Sequence, residues 1–307
     1  RRLHDINNFT IVHDKEDGFF YYAQKDSYGS LIPSTIIAGR GNPQSIGLQP
    51  GYSLSKEDYN RKKQFYHQEE LIRNNRDAPN TGEINQINVF IRFADDPEFP
   101  DDRSTYGEIF ETEYDEPSLK HYFSEISHDR LTINTLHFPG SLDGSNASYV
   151  DSHERSYYQP YSAANSNGYQ SQSDRFLREH SLVANALNSI SQSVPSSVDL
   201  DLDDNGFVDA VSIVVYGTQG AWADLLWPHR TALFNEEVYI NGAQVYDYLF
   251  MLSESWYYNV GVLCHEFGHV LGAPDYYHYS AGSGPTPVGY WDVMGSVRNP
   301  PQYPSAF

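Results

Sequence analysis

Apolar and polar positions alternate cleanly in RLTINTLHF, residues 130–138, and partly in INVFIRFAD, residues 87–95. This period of two predicts strands with one face buried. AVSIVVYG (210–217) and QVYDYLFML (244–252) are short apolar runs and predict buried strands, the second a candidate sheet edge. The pattern changes to a helical period in RFLREHSLVANALNSISQS, residues 175–193, where Phe176, His180, Val183, Leu187 and Ile190 form one stripe. His180 lies on that apolar stripe and reads as a satisfied core histidine. EPSLKHYFSEISH (116–128) predicts a further helix.

Upstream, residues 10–37 hold short β-like runs around turns, and residues 38–53, rich in Gly, Pro, Ser and Gln, read as a linker. A polar helix is expected over 55–75, with Ser55 as its N-cap, and the stretch RDAPNTGE breaks it. These signals set a boundary near residue 80, giving an N-terminal region over 1–80 and a main domain over 81–307. Residues 141–175, rich in Ser, Tyr, Asn and Gln, read as a long surface excursion. No repeat is visible.

With 307 residues the chain can bury a sizeable core. Its formal net charge of -21 disfavours nucleic acid and anionic membranes and suits cations. No run is apolar enough to span a bilayer, and the first residues do not read as a signal peptide, so the chain reads as a mature fragment. Cys264 is the single cysteine, so no internal disulfide forms.

GVLCHEFGHVLGAPDYY, residues 261–277, carries His-Glu-x-x-His. On a helix, His265 and His269 lie one turn apart on one face, with Glu266 at its edge. Val260, Leu263, Cys264, Phe267 and Leu271 fall on the opposite side and read as core, Cys264 as an inert buried thiol. Gly261, Gly268 and Gly272 make a bare strip that another element can approach closely. Two histidines do not fill a catalytic zinc site, which takes three protein ligands and a water. Gly272 is placed to end the helix and Pro274 cannot continue it. The chain must turn there, and Asp275 can swing back as third ligand. His278 and Asp292 rank lower, and no glutamate follows Glu266 to serve as a thermolysin-like ligand. YWDVMGS places Met294 in a turn downstream, completing a metzincin layout.

A second cation site is legible in DLDDNGFVD. Asp201, Asp203, Asn205 and Asp209 occupy the first, third, fifth and ninth positions of an EF-hand-type loop, with Gly206 at its sharp turn. Phe207 would add its carbonyl. Ser212 stands where a glutamate is usual and a strand follows, so the loop predicts a structural calcium clamp, with Asp199 and Asp204 as nearby spare charges.

Together CHEFGHVLGAPDYYHY, YWDVMGS and DLDDNGFVDAVSIVVYG, with LLWPHR and HYFSEISHDRLTI, resemble the immune inhibitor A family of secreted bacterial metallopeptidases over roughly residues 85–307. The resemblance implies an α+β fold: a zincin, metzincin-like catalytic domain with a mixed twisted sheet, a backing helix and an active-site helix, after a small β-containing N-terminal region. It also implies secretion, catalytic Zn2+ and structural Ca2+.

The expected function is zinc-dependent endopeptidase action on proteins or peptides by a monomer, with Glu266 as general base. Tyr276, Tyr277 and Tyr290 are possible oxyanion donors; Ser296 stands where some metzincins carry a tyrosine after the methionine. Trp227 and His229 line the cleft or belong to a structural loop. The alternative is a calcium-stabilised adhesin or binding module with a latent zinc site. Residues 1–80 read as prosegment-like, with Asp14, Asp17 or Asp26 able to displace the catalytic water and NRKKQ or RNNRD as activation sites, or as a separate β-domain.

Overall fold

A computed structural model describes residues 3–14, 19–25, 31–51, 77–112, 117–141, 143–218, 225–254, 258–277 and 287–305. Two compact units result, one built mainly from residues 1–73 and the other from 74–277 and 285–307. The helix expected over 55–75, His278, Asp17 and Asp26 lie outside the described residues.

The first unit is an antiparallel meander, β1 (Leu3–His4), β2 (Thr10–His13), β3 (Phe20–Lys25) and β4 (Leu31–Ile37), in that order. Phe9, Tyr22 and Leu48 form its small core. Leu48 comes from the stretch expected to be a linker. That stretch instead folds back as a 3-10 turn over Pro43–Ile46 capped by Asn42, because Leu48 and Pro43 have apolar surface to bury.

The second unit is a mixed α/β arrangement around a mixed sheet. Its strands are β5 (Gly82–Arg92), β6 (Leu131–Phe138), β7 (Tyr149–Val150), β8 (Val211–Val215), β9 (His229–Ala232) and β12 (Asp247–Leu252); β10 (Val238–Ile240) and β11 (Ala243–Val245) pair separately. The sheet order is β6-β5-β8-β12-β9, and β7 extends the end of β5. All neighbours run parallel except β9, which is antiparallel to β12. The helices are α1 (Arg103–Glu111), α2 (Leu119–Ile126), α3 (Gln172–Ile190) and α4 (Val260–Val270).

Both faces of the sheet are covered, which is why β8 and β12 read as continuous apolar runs. On one face Ile87, Val89, Ile213 and Phe250 pack with Val183, Leu187 and Ile190 of α3. On the other Phe90, Val214, Leu249 and Met251 pack with Leu263, Cys264 and Phe267 of α4 and Phe110 and Phe123 of α1 and α2.

Two expectations are corrected. QVYDYLFML is not a sheet edge: Gln244 and Val245 belong to β11, and β12 is held between β8 and β9. The outer strand on that side is β9. Residues 141–175 are not only a surface excursion, because β7 joins the sheet and the buried Tyr158 and Tyr169 enter the core. Tyr158 stacks on Phe93 at 4.7 Å and donates to the buried Asp151 at 2.7 Å.

Candidate active site

Helix α4 starts at Asn259, whose side chain accepts from the Val262 N–H at 3.1 Å. It ends at Gly272, at φ 90. The Gly272 N–H donates to His269 O at 3.1 Å and the Ala273 N–H to Gly268 O at 2.9 Å, the paired bonds of a Schellman turn. Only glycine takes this backbone cheaply, and a β-carbon there would stand 2.7 Å from Asp77 Oδ2.

The bare strip of α4 is occupied as its sequence suggests. A β-carbon on Gly268 would lie 2.7 Å from Met294 Sδ, and one on Gly261 would collide with Arg298 O. The segment after the helix therefore packs directly on its backbone. The Tyr276 N–H donates to Met294 O at 2.8 Å, joining the Asp275 loop to the methionine turn. Asp292 builds that turn: Oδ1 accepts from the Met294 N–H at 2.7 Å, and Oδ2 accepts from the Ser305 N–H and hydroxyl. Both oxygens of its carboxylate are thus engaged by the turn and by Ser305.

Each histidine is aimed by a carbonyl behind it. Nδ1–H of His265 donates to Val293 O at 2.9 Å and Nδ1–H of His269 to Ala273 O at 2.7 Å. A carbonyl only accepts, so the tautomer is fixed and both Nε2 atoms point the other way. Both Nε2 atoms are 3.3 Å from Asp275 Oδ1. Glu266, only 7% exposed, brings its carboxylate within 4.8 Å of both imidazoles. Burial opposes protonation of His265, but its hydrogen bond to the Asp275 carboxylate, the Glu266 charge and the Val293 carbonyl outweigh it and raise its pKa.

The Tyr277 ring stacks on His265 at 19° and 6.4 Å. Burial and the Asp275 carboxylate push its hydroxyl pKa up. Tyr276 packs against the α4 core, while Tyr290 is exposed beneath Arg298. Cys264 is wholly buried, and burial raises its thiol pKa. His180 is a core histidine, its pKa lowered to about 4 by burial. His229 faces α3, on the other side of the sheet from α4, and does not line the histidine site. There it meets Glu179, which the sequence reading missed.

In the 201–209 loop, Asp201 accepts from the Asn205 and Gly206 N–H groups, both at 2.8 Å, and Asn205 Oδ1 from the Phe207 N–H at 2.8 Å. Asp201, Asp203 and Asp209 converge within 4.8 Å. Asp209 is 4% exposed; its Oδ2 accepts from the Leu202 N–H, whereas its buried Oδ1 has no hydrogen-bond partner among the described residues. Burial, and then the neighbouring aspartates, raise its pKa to about 7. Ser212 is turned away, donating to Gln86 in the sheet.

A catalytic-type His-Glu-x-x-His helix, a returning aspartate and a methionine turn on a mixed sheet define a metallopeptidase. Residues 117–299 match the family model described as immune inhibitor A peptidase M6, catalytic domain, and the chain belongs to that family. It is thus a peptidase, a hydrolase whose substrates are proteins or peptides. No curated protein matches the chain. The sheet begins with β5, ahead of the matched range.

Proposed function

We propose that the chain is a secreted, metzincin-like zinc endopeptidase in which His265, His269 and Asp275 hold the metal. The observation carrying this reading is the convergence of two carbonyl-oriented imidazole nitrogens on one carboxylate oxygen. Two nitrogens and one oxygen are a zinc donor set with room for water. Zinc bound there would lower the pKa of that water and polarise the scissile carbonyl.

Glu266 stands beside the histidines without being needed as a ligand. It takes the proton of the attacking water and returns it to the leaving amine. Tyr277 and Tyr276 flank the ligand loop. The peptide lies extended along β9, the outer strand, which packs near α4; its backbone supplies hydrogen bonds along an edge. The 201–209 loop is assigned to structural Ca2+, supported by the buried, unpartnered Asp209 Oδ1. Residues 1–80 are assigned a prosegment-like role, tested by comparing the intact chain with a form cut near residue 80; equal activity removes it.

Glu266→Gln tests the reaction. The variant should keep its zinc and lose activity on a protein substrate by roughly 100-fold or more. Wild-type turnover by the zinc-loaded variant would refute the reading. The binding-module alternative is not favoured, because the match is to a catalytic domain.

A further inference from the structure

On the α3 face of the sheet, a fully buried carboxylate is tied to the edge strand. Glu179 Oε1 accepts from His229 Nε2 at 2.8 Å and from the Tyr248 hydroxyl at 2.7 Å. Arg175 lies 3.6 Å from Oε2, one turn back on α3. His229 Nδ1 meets Trp227 O at 2.5 Å, and its ring stacks on Phe250 at 5.4 Å. Both His229 partners are acceptors, so both ring nitrogens carry protons and the ring is an imidazolium. Glu179 thus joins two cations and one hydroxyl inside the core.

Such a group is costly to bury, and apolar residues of the same volume often serve stability as well. What distinguishes this one is where its ties lead. They reach the first residue of β9, the loop just before it through Trp227, and β12 beside it. On the opposite face, Arg230 pairs with Asp247 of β12. The short outer strand is clamped on both faces at its entrance.

We propose that Glu179 is a positioning residue for substrate: by holding His229, it fixes the register and height of β9 so that an extended peptide bound along it presents its scissile bond to the site on α4. The proposal rests on the reading of β9 as the substrate strand. Glu179 touches neither substrate nor the reacting atoms.

The titratable and charged groups facing Glu179 are His229, Arg175, Tyr248 and His180. Burial opposes the charge of Glu179, but His229 and Arg175 outweigh it and lower its pKa. Burial opposes the charge of His229, but Glu179 outweighs it and raises its pKa. His180 is neutral, and burial with the Glu179 charge keeps Tyr248 protonated. The clamp is complete between the depressed pKa of Glu179 and the raised pKa of His229, and is lost as pH rises through the latter. It is also lost in acid, as pH falls through the depressed pKa of Glu179.

The test compares kcat and KM for a short peptide, cut at the same bond as a longer one that spans the strand. The zinc-loaded wild type, Glu179→Gln, Tyr248→Phe and His229→Gln are measured. Leu187→Ala serves as a control that loosens the same core without touching the clamp. Wild type should prefer the long peptide. Glu179→Gln and His229→Gln should cut that preference roughly ten- to hundredfold, mainly through KM. Tyr248→Phe should shift it the same way by less, and keeps the test available if a charge variant does not fold. Leu187→Ala should leave the ratio unchanged. The wild-type ratio should also fall at alkaline pH, and not in His229→Gln; using a ratio cancels the pH dependence of the chemical step. If wild type shows no length preference, β9 is not the substrate strand and the proposal falls with that reading. If the preference exists but the clamp variants behave like Leu187→Ala, the positioning role alone is overturned.

Discussion

At the residue scale the proposed zinc site depends most on Asp275, because His-Glu-x-x-His would supply only two ligands. The returning loop brings Oδ1 equally close to both imidazoles. Asp275→Ala leaves two nitrogens, so zinc retained after dialysis against a weak chelator should fall well below one equivalent, with activity following occupancy. Asp275→Glu should recover less than the full affinity, since the longer side chain must fold back in a loop pinned by the Tyr276 to Met294 hydrogen bond. Full zinc occupancy in Asp275→Ala would remove it from the ligand set. Asp292 shows why sequence proximity does not choose a ligand. It is also an aspartate and is fully buried, yet its oxygens serve the turn that places Met294 beneath Gly268.

For the active-site helix, side-chain loss is as important as side-chain presence. Gly272→Ala would force a β-carbon into the left-handed region and against Asp77, costing about 1–2 kcal/mol for the backbone alone. That corresponds to a fall in melting temperature of roughly 2–8 °C for a unit of this size. Zinc affinity should fall too, because Ala273 O, which orients His269, lies just beyond the turn. An unchanged melting temperature and unchanged zinc affinity would contradict this account. The helix was legible in sequence because its three faces follow one period and its cap is a glycine. Other elements were not. Helix α1 buries little beyond Tyr106, Gly107 and Phe110, so its apolar stripe is too thin to stand out. Glu179 interrupts the buried, mostly apolar face of α3, and its partners come from positions 229 and 248, far along the chain. The order of β9 outside β12 is likewise a long-range choice: an apolar run announces burial but does not say which neighbour supplies it.

The net charge of -21 sets the stability of the whole molecule in a different way. Without a cation, the carboxylates of the 201–209 loop repel one another, and one oxygen of Asp209 is buried with no hydrogen-bond partner among the described residues. A cation bound only by the folded state stabilises it by about 2.7 kcal/mol when present at one hundred times its Kd. Any divalent ion will also screen so acidic a protein, so calcium must be compared with magnesium at equal ionic strength. Magnesium demands a smaller octahedral shell and should give only the screening part of the gain. The wild-type melting temperature should therefore rise more with calcium than with magnesium, and Asp203→Ala should remove that difference. In chelator the order should weaken or reverse, because Asp203→Ala relieves repulsion that no cation then offsets. A calcium-specific gain of the same size in Asp203→Ala and wild type would show that the stabilising ion sits elsewhere on the acidic surface.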